Sequence, residues 1–99
     1  MDPQNLLSSI TYVDTERSIV AGQMKIIHTE YEICLYADKL TAQTTQFNLT
    51  HVWDISYKTF SDDANLLYLH THRGVLTYKV PKDPDRFVKT FKKLKNAHY

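Results

Sequence analysis

The chain of 99 residues has only two glycines, one cysteine and no long hydrophobic run. The lone cysteine, Cys34, cannot form an internal disulfide, and within the apolar run ICLYA it is expected to be a buried, unreactive thiol. So little glycine leaves no phosphate-cradling loop, and the chain has no Gly-x-Ser-x-Gly nucleophile motif. No apolar stretch approaches the roughly 20 residues that a membrane-spanning helix requires. These absences argue against the common catalytic classes and against a membrane-spanning helix.

Charge of one sign is also lacking. The formal net charge is +1, with 12 Lys and Arg against 11 Asp and Glu, so no general attraction to nucleic acid is expected. The first residues, MDPQNLLSSI, have neither the basic start nor the apolar centre of a signal peptide, and we therefore expect a cytoplasmic protein. The length suits a single domain covering residues 1–99.

Aromatic and β-branched residues are frequent between residues 17 and 80, and they predict strands there. Before them, Asp2 as a cap and Pro3 as a first helical residue predict a short N-terminal helical extension, residues 1–13. The predicted strands are residues 17–28, with Gly22 as a possible bulge, then 33–37, 40–47 and 52–60. Alternation in the last of these places Trp53 with Ile55 on its apolar side.

The segment LLYLHTHRGVLTYKV, residues 66–80, predicts a β-hairpin whose two turn residues are Arg73 and Gly74, since glycine supplies the positive φ of such turns. Pairing outward from that turn separates an apolar face from a mixed one. The apolar face has Leu67, Leu69, Thr71, Leu76, Tyr78 and Val80. The mixed face has Tyr68, His70, His72, Val75, Thr77 and Lys79. Five residues of this mixed face, Tyr68, His70, His72, Val75 and Thr77, are the candidate partner-binding residues, because Tyr and His beside small apolar residues suit interfaces.

A C-terminal helix is predicted for residues 84–96, capped by Asp83 with Pro84 as its first residue. Its apolar stripe has Phe87, Val88, Phe91 and Leu94, and its remaining surface has Lys89, Lys92, Lys93 and Lys95. The predicted core is Ile33, Leu35, Leu40, Trp53, Ile55, Leu67, Leu69, Leu76, Tyr78, Phe87, Phe91 and Leu94.

Many short antiparallel strands followed by one terminal helix resemble the bacterial pleckstrin-homology (PH)-like domains. Three stretches carry the resemblance: YEICLYADKLTAQTTQFNLTHVWDISYK, LLYLHTHRGVLTYKV and DPDRFVKTFKKL. It implies an α+β fold, a bent antiparallel barrel or sandwich closed by the C-terminal helix, and a non-enzymatic scaffold that binds lipids, peptides or proteins. Phosphoinositide-binding members use basic residues between their first two strands, whereas the connection expected here, residues 29–32, is acidic.

Chemistry at the histidines is the remaining possibility. His70 and His72 offer two nitrogens on one strand face, but zinc needs three or four ligands and no third stands at a recognisable spacing. We therefore expect no metal, no cofactor and no catalytic site. The favoured function is recognition of a protein or peptide partner, with self-association possible. The alternative is a peripheral membrane module that contacts anionic lipid through Lys89, Lys92, Lys93 and Lys95.

Overall fold

The computed structural model describes residues 6–43 and 45–98 of the chain. Within these residues, seven antiparallel strands form one sheet and one helix follows them. The strands are β1 (Ser8–Val20), β2 (Gln23–Leu35), β3 (Lys39–Ala42), β4 (Thr45–Asn48), β5 (Val52–Ser61), β6 (Ala64–Thr71) and β7 (Gly74–Val80), and the helix is α1 (Asp85–His98). The α+β class and the antiparallel sheet with a C-terminal helix are thus confirmed.

The two edge strands of this sheet are consecutive in the sequence. The strand order is β4-β3-β2-β1-β7-β6-β5, and a single 3-10 turn, Leu49–His51, connects the edge strands β4 and β5. In a flat sheet six spacings would separate the edges by about 29 Å. Three connecting residues span at most about 14 Å between the strand ends. The sheet therefore curls until its edges approach each other at this turn.

The core lies between the inner side of the curled sheet and α1. Its buried members are Ile10, Tyr12, Ile33, Leu35, Leu40, Ala42, Phe47, Leu49, Val52, Ile55, Leu67, Leu69, Val80, Phe87, Val88 and Phe91. Leu76, Tyr78 and Leu94 are partly buried and pack against this cluster. The predicted apolar stripe of the helix is confirmed, because its side chains cover the inner side of the sheet. Of the predicted core, only Trp53 lies outside.

The predicted N-terminal helix is wrong from Ser8 onward, where β1 begins. Ile10 and Tyr12 both point into the core, and that period of two belongs to a strand paired with β2 in the register Ile10↔Ile33. Cross-strand pairing along a long partner outweighs the helix signal of a few apolar residues. The cap predicted at Asp2 and Pro3 lies outside the described residues.

The predicted strand 17–28 is in fact the tip of a hairpin. Val20 pairs with Gln23, and the two residues between them form the turn. Ala21 has a φ of 54° and Gly22 a φ of 77°, as two-residue turns with both φ values positive require. Gly22 is therefore a turn residue and not a bulge, and each strand of this hairpin is 13 residues long.

The predicted strand 40–47 also divides in two. Lys39–Ala42 and Thr45–Asn48 pair with each other, with Ala42 opposite Thr45. Gln43, which begins the turn between them, has a φ of 55°. The polar alternation of residues 40–47 resembled one continuous strand because both halves of a hairpin share the period of two.

The β6–β7 hairpin turns one residue earlier than predicted. Thr71 pairs with Gly74, so the turn residues are His72 and Arg73, and Gly74 follows them with a φ of 112°. The Thr71 hydroxyl accepts a hydrogen bond from the Arg73 amide and donates one to the Gly74 carbonyl, which stabilises this turn. The resulting register differs from the predicted one by two residues, an even shift that leaves both predicted faces intact. His72 alone leaves its face, because it now lies in the turn.

Trp53 is exposed because of a bulge at the start of β5. The register shifts between Val52 and Asp54, and Trp53 is the extra residue. The bulge lets both Val52 and Ile55 point into the core, although they are three residues apart. Alternation without a bulge predicted Trp53 to be buried, and that prediction is wrong.

Candidate binding surface

The outer face is the solvent side of β5, β6 and β7, and we define it by three rows of paired residues. The rows are Asp54–His70–Val75, Ser56–Tyr68–Thr77 and Lys58–Leu66–Lys79. Four of the five predicted partner-binding residues, Tyr68, His70, Val75 and Thr77, therefore share this face. The central strand keeps Tyr68 and His70 half-buried among neighbours, and Val75 is 56% exposed.

His70 is held in place across the sheet. Its Nε2 lies 2.9 Å from the Ser56 hydroxyl on the neighbouring strand. A hydroxyl can donate to or accept from imidazole, so this pair orients the ring without fixing its tautomer. A half-buried histidine fixed on a rigid sheet presents its other edge in a constant position, as recognition of a partner requires.

His72 does not join His70. Its ring lies 4.4 Å from the ring of His51, centroid to centroid, and 6.4 Å from that of Phe47. Its backbone amide also donates to the His51 carbonyl, which joins the β6–β7 turn to the start of β5. The turn displacement described above separates the two histidines that the sequence had placed on one face. The structure thus brings His51 and His72 together, which sequence spacing did not indicate.

Trp53 extends this surface at its free edge. It is 64% exposed, next to Asp54 of the first outer-face row. In the described part of the chain, β5 pairs with β6 alone, so its other edge, beyond the first residues at the turn from β4, has no strand partner. Trp53 is a candidate binding residue that sequence reasoning missed. Only a bulge signal would have revealed it, and no glycine or proline marks this bulge.

An apolar cleft continues the outer face toward β1. Its volume is about 440 Å³, within the range of roughly 300–1,000 Å³ typical of ligand pockets. Leu66 and Lys79, the third outer-face row, form part of its wall. The remaining lining residues are Val13, Thr15, His28, Phe60, Asp63, Ala64, Asn65, Val80 and Pro81. Phe60 is well exposed, so an aromatic ring stands beside a recess large enough for a partner's side chains.

The lysines of α1 differ from one another in their surroundings. Lys89 Nζ lies 2.9 Å from an Asp85 carboxylate oxygen, one turn away on the helix. Lys95 Nζ donates to the Leu49 carbonyl at 2.8 Å, and burial lowers the pKa of this lysine. Lys92 and Lys93 are exposed. The four lysines therefore do not act as one uniform cationic surface, because two of them serve contacts within the fold.

The acidic connection expected at residues 29–32 lies inside β2. The first two strands are joined instead at Ala21 and Gly22, and the nearest charged residues along the chain are Arg17 and Lys25. This loop therefore lacks the dense cluster of lysine and arginine residues that phosphoinositide-binding PH domains use.

No protein-family model matches the chain, and no curated protein matches it. Within residues 6–43 and 45–98, no three His, Cys, Asp or Glu side chains are grouped so that they would hold a metal ion. No helix of the described chain is long and apolar enough to cross a membrane.

Proposed function

We propose that the protein is a non-enzymatic, PH-like binding module that recognises a protein or peptide partner through its outer face. The observation that carries the proposal is Trp53, a large aromatic side chain exposed beside a regular three-stranded face. Tryptophan and tyrosine are the residues most enriched among those that dominate binding energy at interfaces. Seven antiparallel strands followed by a C-terminal helix support the PH-like part of the proposal.

The outer face suits a peptide in three respects. The free edge of β5 can accept an extended peptide as an added strand, which would form backbone hydrogen bonds with β5. Trp53 and Val75 provide apolar contact on either side of Asp54 and His70, which are polar. The apolar cleft accepts side chains farther along the same face. Backbone pairing would supply affinity, and the side-chain contacts would supply specificity.

The decisive experiment compares variants in affinity capture from the native cell. Trp53→Ala should weaken capture of the partner strongly, since losing an aromatic contact that dominates an interface typically costs about 2 kcal/mol or more. Val75→Glu should also weaken capture, because it places a charge in an apolar part of the face. Ile19→Glu is the control, because Ile19 is exposed but lies at the tip of the β1–β2 hairpin, four residues beyond the cleft residue Thr15. Capture that is equal for all variants would contradict the proposal.

The alternative function is contact with anionic lipid through the helix lysines. Attraction of this kind fades at 1 M salt, where the Debye length is about 3 Å. Sedimentation with vesicles of neutral and anionic lipid, at low and high salt, separates the two functions. If Lys92→Glu with Lys93→Glu abolishes salt-sensitive vesicle binding, and no protein is captured, the membrane function replaces the first proposal.

A further inference from the structure

The β1–β2 hairpin extends well beyond the core. In the described chain, β1 pairs with β7 only at Val13, and β2 pairs with β3 only at residues 33–35. Residues 14–20 and 23–32, with the turn between them, therefore form a two-stranded arm with two free edges. Seven strand residues span about 23 Å. This arm accounts for a longest molecular dimension of 53 Å against 33 and 25 Å for the others.

The arm exposes apolar side chains on both of its faces. Ile19, Met24 and Ile26 lie on one face, and Val20 and Ile27 lie on the other. Ile19 is directly opposite Met24, and Ile26 is the next residue along that face, so the three form a continuous patch. A two-stranded ribbon is marginally stable alone, and three or more strands with a hydrophobic face are needed. Within the described chain, the arm thus has neither a third strand along its edges nor a packing partner for its apolar side chains.

The charge of the arm indicates what covers it. Its ionised residues are Asp14, Glu16, Arg17, Lys25, Glu30 and Glu32, which give a formal charge of −2. Anionic lipid would repel this arm, and a flat surface would reach only one of its apolar faces. A second ribbon lying edge to edge extends the sheet and satisfies backbone groups that neither ribbon satisfies alone.

We propose that the arm is a self-association surface on which two copies of the chain pair antiparallel through β2, centred on Ile26. Two-fold pairing about this residue sets Ile26 opposite Ile26 of the second copy, Met24 opposite His28 and Lys25 opposite Ile27. No like charges then face each other in the paired segment. Centring on Lys25 or Glu30 would oppose like charges, and centring on Ile27 would set Met24 against Glu30.

The product is a four-stranded antiparallel sheet in the order β1-β2-β2-β1. Its one face joins both patches of Ile19, Met24 and Ile26 into a continuous apolar surface, because two-fold antiparallel pairing keeps equivalent faces on the same side. The rest of each chain, which we call the body, lies at one end of this sheet, and the two bodies lie at opposite ends. Each outer face therefore stays open to its own partner. The pairing uses no residue of the three outer-face rows, so the two surfaces can be tested separately.

Sedimentation equilibrium over a concentration series tests the dimer directly. The unaltered chain should form a dimer, and Ile26→Glu should raise its dissociation constant about tenfold or more by opposing two carboxylates at the centre. Val75→Glu, at an equally exposed position, should leave the dimer intact. Circular dichroism checks that each variant is folded, as expected for side chains outside the core.

A cysteine pair tests the register. In a Cys34→Ser background, Ile26→Cys should form an intermolecular disulfide on mild oxidation, since directly opposed strand residues have Cβ atoms about 4.5–5.5 Å apart. Ile19→Cys is the control: it is more exposed, at 74% against 56%, but lies on β1, three strand spacings or about 14 Å across the sheet from its counterpart and offset from it along the strands. Faster cross-linking at position 26 supports the proposal, and equal or faster cross-linking at position 19 overturns it.

Two further results would overturn the proposal. One is a chain that stays monomeric throughout the concentration series. The other is a monomer that binds neutral or anionic vesicles and loses this binding in Ile26→Glu, which would make the arm a membrane contact. If Trp53→Ala loses partner capture and the unaltered chain is monomeric, only the dimer proposal fails. If the unaltered chain is dimeric and Trp53→Ala still captures the partner, only the proposed function fails.

Discussion

Single residues show how differently this fold treats its large aromatic side chains. Phe91 is buried against the sheet, whereas Trp53 stands in solvent at a bulge. Both follow apolar patterns in the sequence, but only the helical one is uninterrupted. Phe91 therefore contributes to the core because the helix that positions it is regular, whereas the bulge in β5 keeps Trp53 out of the core.

The first prediction contrasts these two aromatic residues. Phe91→Ala should lower the free energy of unfolding by about 3–5 kcal/mol, because it removes a phenyl group from the centre of the core. Trp53→Ala should change it by no more than about 0.5 kcal/mol, as for other exposed positions. Urea denaturation measures both values. A large loss in Trp53→Ala would mean that the bulge does not hold this side chain outside.

At the scale of elements, α1 is joined to the sheet at each end by polar contacts. At its start, the Asp83 carboxylate accepts from the Asp85 amide, as predicted for the cap, and the Tyr57 hydroxyl donates to the Asp85 carboxylate. Near its end, Lys95 donates to Leu49 in the turn between β4 and β5. These contacts set the orientation in which the apolar stripe covers the sheet.

The second prediction concerns the acid sensitivity of this attachment. The hydrogen bond from Lys89 first, and that from Tyr57 second, hold the pKa of Asp85 below its ordinary value near 3.8. Because the folded state has the lower pKa, the stabilisation is complete above the unfolded value and is lost as pH falls through the folded value. Asp85→Asn should therefore destabilise the chain most near neutral pH, with the difference from the unaltered chain shrinking below about pH 4.

Urea denaturation at pH 7, 5, 4 and 3 measures this difference. Lys89→Met is the companion variant, since it removes the largest cause of the lowered pKa and should weaken the same pH dependence. A difference between Asp85→Asn and the unaltered chain that stays constant from pH 7 to pH 3 would refute the prediction.

At the scale of the whole molecule, the body and the arm are separate in energetic terms. The buried residues of β1 and β2 are Ile10, Tyr12, Ile33 and Leu35, all at the base of the hairpin. Tyr31, at the base of the arm, is partly buried and packs against this core, and the arm beyond it lies mostly in solvent. The rest of the chain should therefore fold without the outer part of the arm.

The third prediction is that shortening the arm separates folding from self-association. Deleting residues 16–19 together with 24–27 joins Thr15 to Val20 and Gln23 to His28. It removes an even number from each strand, so faces and turn are preserved. The urea midpoint should change little, and the dimer should be absent in sedimentation. If unfolding becomes markedly easier, the arm contributes to the body and the separation is wrong.

Local chemistry in the sequence was enough for the elements whose signals are complete within a few residues. The helix was predicted because Asp83, Pro84 and the stripe ending at Leu94 combine a cap with a regular period. The faces of the β6–β7 hairpin were predicted because alternation survives an even error in register. The same reasoning placed four residues of the candidate surface on one face.

Tertiary structure alone decided the features that depend on distant partners. Ser8 and its neighbours form a strand because β2 pairs with them, and Trp53 is exposed because the core admits both Val52 and Ile55 across a bulge. His72 meets His51 because the turn falls one residue earlier than the glycine suggested. In each case the energy of a long-range contact exceeds a weak local preference, and such contacts are not visible in any short window of sequence.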